Sequence, residues 1–218
     1  MKVAQKVVPG RAIASQKFPG YILALTGPSG VGKSTIRRIL TEVCSEYTAS
    51  VPMLTTRKPK QGDDGEYIYT TQTEFDRMVR AGSIIASTQI PSASEHRQYG
   101  YRSREIEDIW KQGKIPVVIT EMHLLKGLAD FYGRRSVLSF GLLPPGRSKR
   151  AKLSELLHRL RKRGRESEQH IHDRLKNAEQ DLALFVRRKE LFDHIVVNDD
   201  LPSLIASMRK KVPALSGV

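Results

Sequence analysis

Residues 27–34 read Gly-Pro-Ser-Gly-Val-Gly-Lys-Ser, and few octapeptides constrain a fold as tightly. The pattern G-x-x-x-x-G-K-[ST] follows an apolar run, YILALT at 21–26, and precedes a helical stretch from about Ser34 to Tyr47. Between a strand and a helix, the glycines let successive backbone N–H groups turn inward around phosphate oxygens. The helix start adds its positive end. Lys33 can reach the outer phosphates, and the Ser34 hydroxyl suits Mg²⁺. A glycine turn with an accidental lysine has no reason to sit between a strand and a helix. The stretch Gly27, Pro28, Ser29, Gly30, Val31, Gly32, Lys33, Ser34 and Thr35 is therefore expected to bind a nucleoside triphosphate.

The remaining pattern suits such a loop. IPVVIT at 115–120, SVLSFGLL at 136–143 and HIVVN at 194–198 read as further buried strands. Helical stretches lie between them. TEFDRMVRAG places Phe75, Met78 and Val79 on one face, and SREIEDIWKQG has Ser103 as its expected cap and Gly113 as its stop. From Ser148 to Phe192 the pattern is helical but very polar, with a break at Arg163–Gly164, and LPSLIASMRKKV forms a last helix. Strand–helix alternation of this kind predicts an α/β fold, a parallel sheet wrapped by helices.

Composition narrows the partners. Lys plus Arg number 37 against 23 Asp plus Glu, a formal net charge of +14, so an anionic partner is expected: nucleotide, nucleic acid or an acidic surface. At 218 residues the chain can build one sizeable core with a smaller subdomain. Its longest apolar runs are too short to span a bilayer, so no membrane partner is expected. Residues 1–20 are basic without the apolar core of a secretory signal and read as an extension. The single cysteine, Cys44, excludes an intrachain disulfide, fits a reducing cytoplasm and is expected as a small buried residue. His170 and His172 point to different helix faces, and no CxxC or HExxH pattern predicts zinc. The basic stretch 147–165 lacks the interleaved aromatics of an RNA-binding arm, so nucleic acid is not the expected partner.

Four segments in register, GPSGVGKST, TTRKPKQG, RGRESEQHIHDRL and VVNDD, together resemble the guanylate kinase family in order and spacing, over nearly everything after residue 20. The resemblance implies a P-loop NTPase-type parallel-sheet core at 21–218 with helices on both faces. It also implies a small acceptor-binding part at about 53–101 and a helical lid at about 147–192. Mg²⁺ and ATP are the implied cofactor and donor, and a nucleoside monophosphate, GMP foremost, the implied acceptor. Arg57, Lys60, Tyr67 and Tyr99 would hold the acceptor phosphate. Arg159, Arg163 and Arg174 would close over the transferring group with Lys33, Asn198 would sit beside adenine, and Glu121 would face the acceptor.

This chain departs from the family's pattern where the base is read. Met53, Ala86 and Tyr101 fall at positions that usually carry hydrogen-bonding or acidic side chains, and Glu121 replaces an aspartate. Lys60 stands for an arginine and keeps its charge without the bidentate fork. Glu95, in an insertion, could stand in for the missing glutamate. Three readings follow: a guanylate kinase with a rearranged base pocket, a related kinase for another phosphorylated acceptor such as a ribose phosphate, or a non-catalytic module of the same fold. Lys33, Ser34 and the lid arginines argue against the third.

Overall fold

The computed structural model describes residues 20–59, 63, 65–90, 97–164, 167–212 and 215. Residues 1–19 of the expected 1–20 extension, and the positions of Lys60 and Glu95, lie outside the described residues. The chain opens with β1 (Ile22–Thr26), α1 (Lys33–Val43), β2 (Thr48–Ser50), β3 (Met53–Thr55) and β4 (Tyr67–Tyr69). Then come α2 (Gln72–Arg80), β5 (Ile84–Ile90), β6 (Arg97–Arg102) and α3 (Ser103–Lys111). The second half holds β7 (Ile115–Thr120), α4 (Met122–Tyr132), β8 (Val137–Leu143), α5 (Lys149–Arg163) and α6 (Glu168–Arg187). It finishes with β9 (His194–Val197) and α7 (Leu201–Lys211).

Two sheets organise these elements. The first has the order β2-β7-β1-β8-β9, and every pairing in it is parallel. Side chains alternate across it as the pleat requires. Leu23, Leu25 and Val117 join Ile36 and Leu40 of α1 and Leu204 and Met208 of α7 on one face. Ile22, Ala24 and Val118 join Ile106 and Trp110 of α3 and Leu124 and Leu128 of α4 on the other. A strand that feeds both cores must be apolar throughout, which is why ILALT shows no alternation. From β1 the chain runs to β2 and β7 on one side and later to β8 on the other. The loop after β1 thus stands at the reversal of strand order, where open parallel sheets take their ligands.

The second sheet, β4-β3-β6-β5, is mixed: β3 pairs parallel with β4 and antiparallel with β6. It packs on the first through Met53, Ala86, Tyr99 and Tyr101, which share a core with α3 and α4.

Several local expectations change. Helix α1 ends at Val43 rather than near Tyr47 because the Thr48 hydroxyl donates to the carbonyls of Leu40 (3.1 Å) and Cys44 (2.9 Å), closing the helix end and releasing β2. Ser103 is the first helical residue of α3, not its cap; Arg102 takes the cap position and its guanidinium pairs with Glu105. Gly113 does stop the helix with a φ of 72°. Helix α2 buries Phe75 against Gly100 of β6 but leaves Val79 exposed, a narrower apolar face than the spacing suggested. Cys44 is buried and unpaired.

Candidate active site

The turn after β1 requires glycine. Gly32 has φ 103°, and a Cβ there would lie 2.6 Å from the Asn198 side-chain nitrogen. That nitrogen donates to the Val31 carbonyl at 2.7 Å, so buried Asn198 braces the loop from below. Lys33 folds its ammonium back onto the loop, donating to the carbonyls of Gly27 (2.6 Å) and Pro28 (3.0 Å). Burial pushes its pKa down to about 8; Asp181 supports the charge, while Arg174 and Arg163 oppose it. Asp181, on α6, is itself pushed up to about 6, chiefly by burial. Charged groups removed from water behave this way until an opposite charge arrives.

Helices α5 and α6 meet this loop directly. Arg174 of α6 donates to the Ser29 hydroxyl at 2.7 Å. Arg159 of α5 donates to the Asn198 carbonyl at 2.8 Å and pairs with Glu155 at 2.6 Å. Arg163, one turn on, is exposed at the end of α5, where Gly164 terminates the helix with φ 64°. The structure thus gathers Lys33, Arg163 and Arg174 into one electrostatic neighbourhood with Asp181 and Glu121. The composition of α6 gave no hint of Asp181; only its place two turns beyond Arg174 on the same helix explains its role.

The second assembly lies on the second sheet. Arg57 is buried, with its guanidinium 4.3 Å from the Tyr67 ring centroid, and the Tyr67 and Tyr99 rings meet edge to face at 6.3 Å. Its Nη2 donates to Asp63 Oδ1 at 2.6 Å and its Nη1 to the Lys58 carbonyl at 2.9 Å. The Tyr69 hydroxyl donates to the other Asp63 oxygen. Asp63 and Tyr69 were not foreseen, because a glycine- and aspartate-rich turn reads as mere punctuation. Asp63 is thus the anionic partner of Arg57.

Helix α1 is joined to the residue that precedes β4. Glu66, just before β4, accepts from Arg37 at 2.7 Å and from the Ser34 hydroxyl at 3.4 Å. The expected acceptor contact at Glu121 is already engaged: both carboxylate oxygens cap α4, accepting from the N–H groups of His123 (2.9 Å) and Leu124 (2.8 Å).

The positions expected from the family pattern to read a base are core. Met53, Ala86 and Tyr101 are all buried. The chain pairs Val51 N–H with the Val117 carbonyl as the last ladder bond between the β2 side and β7. Beyond it the Tyr101 hydroxyl takes over, donating to the Ile119 carbonyl (2.8 Å) and accepting from its N–H (3.0 Å). Ala86 packs under α4 at Gly127, where an added Cβ would come within 2.8 Å of the Ala86 Cβ. A glutamate at 86 would point into that contact, so this position and Gly127 are matched small residues.

A phosphate loop at the crossover of a parallel sheet, roofed by an arginine-bearing helical pair, defines a protein of the P-loop NTPase fold. The sequence model of the guanylate kinase family matches residues 20–214. A guanylate kinase of Thermosynechococcus vestitus is 34% identical over 191 residues, covering 86% of this chain and 91% of that protein. One from Aster yellows witches'-broom phytoplasma is 33% identical, over 84% of this chain and 80% of that protein. The crystal structure of guanylate kinase from Anaplasma phagocytophilum superposes with a TM-score of 0.66 at 22% identity, covering 89% of this chain and 85% of that one. The chain belongs to the guanylate kinase family.

Proposed function

We propose that the protein transfers the γ-phosphoryl group of ATP to the phosphate of GMP, giving ADP and GDP. The observation that carries this reading is that two groups of cationic and hydroxyl side chains suited to phosphates are joined by side-chain contacts. The Gly27–Ser34 loop with Lys33 and Arg174 serves the donor, and Arg57 with Tyr67 and Tyr99 serves the acceptor. They are linked through Ser34, Glu66 and Arg37. Phosphoryl transfer asks a protein to align two anions and to neutralise the charge developing between them. No side-chain nucleophile is needed, since an oxygen of the acceptor phosphate attacks.

Each residue then has a physical task. Lys33 leaves its loop carbonyls for the outer phosphates, which restore the charge that burial disfavours. Arg57 exchanges Asp63 for the acceptor phosphate, while Tyr67 and Tyr99 donate their hydroxyls. Arg159, Arg163 and Arg174 bring positive charge over the transferring group as the lid packs down, and the same closure excludes water. The Ser34 hydroxyl is a hard oxygen donor suited to Mg²⁺, which takes few protein ligands because phosphates and water complete its shell. Mg²⁺, when bound, would supply positive charge that neutralises the phosphates during transfer. The acceptor-binding part at about 53–101 and the lid at about 147–192 divide these tasks.

The apolar burial of Met53, Ala86 and Tyr101 favours a second reading on the acceptor alone: another phosphorylated compound recognised by its phosphate more than by a base. A panel of GMP, AMP, CMP, UMP and ribose phosphates, assayed for ADP release, separates the two. GMP should react best, by a margin below the roughly 10⁴ reached by sites with fully paired polar groups. Reaction of a sugar phosphate but of no mononucleotide would assign the acceptor to the second reading.

A further inference from the structure

We propose that Glu66, steered by Arg37, is a second protein oxygen of the Mg²⁺ site beside Ser34, an inference that rests on the ATP-dependent reading above. Glu66 reaches Ser34 from an element 32 positions away in the chain, and its two oxygens divide their work. Oε1 takes the charge-assisted bond from Arg37 at 2.7 Å, and Oε2 faces the Ser34 hydroxyl at 3.4 Å. That second contact is long for an O–H···O hydrogen bond. Two oxygens on adjacent corners of an octahedral Mg²⁺ shell, with bonds of about 2.1 Å, lie about 3 Å apart. The observed pair is near that separation.

The surroundings point the same way. Arg37 is nine-tenths buried along its side chain, and its Nε–H has no hydrogen-bond partner among the described residues. A buried guanidinium beside a partly buried carboxylate fixes that carboxylate's orientation, and the leftover donor calls for a further oxygen, such as that of a phosphate. The other carboxylates near the loop are engaged elsewhere. Glu121 caps α4 with both oxygens, and Asp181 supports the charge of Lys33. Glu66 is the carboxylate in contact with the metal-binding hydroxyl. It also lies immediately before Tyr67 of the acceptor assembly, so the metal of the donor would help to order the strand that meets the acceptor.

The test measures metal directly. Mn²⁺, a spin-active stand-in for Mg²⁺, is titrated into the protein–ADP complex and followed by electron paramagnetic resonance. ADP affinity is measured separately in EDTA. Glu66→Gln keeps the volume and an acceptor for Arg37 but loses the charge. It should weaken Mn²⁺ binding to the ADP complex by about 10–100-fold, the usual range for loss of a group supporting a metal site, with metal-free ADP affinity unchanged. Glu66→Asp keeps the charge and should recover part of the loss, which a purely structural brace would not do. Mn²⁺ affinity within twofold of wild type in Glu66→Gln would overturn the proposal. So would an equal loss of metal-free ADP affinity, which would make Glu66 a brace of the loop. If the wild-type protein bound no ADP even without metal, the ATP-dependent reading would fail, and the metal inference with it.

Discussion

Tyr101→Phe removes one oxygen and should cost the fold far more than a surface hydroxyl would. Tyr101 is 1% exposed, and its hydroxyl serves both the carbonyl and the N–H of Ile119, two backbone groups left without a strand partner where the β2 side of the ladder ends. Phenylalanine fills the same volume but pairs neither group. Each unsatisfied buried polar group costs about 1–3 kcal/mol, so the substitution should destabilise the protein by roughly 2–4 kcal/mol after allowance for the cost of burying the hydroxyl in wild type. Equilibrium urea unfolding should show a lower midpoint with an unchanged slope, since the surface exposed on unfolding is the same. Amide exchange at Ile119 should quicken locally. A loss under about 0.5 kcal/mol, the ordinary range for a surface change, would mean that the hydroxyl does not close the ladder. Tyr101 would then be free to read an acceptor, and its assignment to the core would be refuted.

Other perturbations separate the roles of the charged groups. Lys33 has a folded-state pKa of about 8, below its ordinary 10.5, so between those values the ligand-free protein has lost a proton that bound phosphates restore. ATP binding near pH 9 should take up close to one proton, seen by calorimetry in buffers of different ionisation enthalpy, and Lys33→Ala should abolish both the uptake and the transfer activity. Asp181→Asn removes the largest support for that charge and should move the onset of the alkaline loss of ATP affinity to lower pH; an unmoved onset would exclude the coupling. Arg163→Ala should lower kcat strongly with little change in the KM for ATP, because the contact matters at closure; the opposite split would make it a ground-state phosphate binder. Arg57→Ala should raise the acceptor KM or lower kcat for every phosphorylated acceptor alike, and a loss confined to one base would refute its assignment to the shared phosphate.

What could be read from the sequence was local and repetitive in character. The loop at 27–34 needs particular residues at fixed spacing, and strands such as ILALT, buried on both faces, leave an uninterrupted apolar run. The second sheet left no such mark. Strands β3 and β4 are three residues each, too short to show a period, and they exist because β6 and the shared core hold them. Position matching found Met53, Ala86 and Tyr101 but could not say what replaced the hydrogen bonds there. That required seeing Tyr101 complete the ladder of β7 and Ala86 meet Gly127. Asp63, Glu66 and Asp181 escaped notice for a common reason. Each is one acidic residue in a polar segment, and its meaning comes from a partner brought near by tertiary structure.

Catalysis of phosphoryl transfer between two nucleotides is what these two groups of residues are proposed to perform together. Purified protein with ATP, Mg²⁺ and GMP, its products separated by ion-exchange chromatography, tests it directly. ADP and GDP should appear in equal amounts and depend on GMP, and Lys33→Ala should lose at least tenfold in kcat, a transition-state cost of about 1.4 kcal/mol or more. Production of ADP without GDP, or turnover undiminished in Lys33→Ala, would contradict that claim.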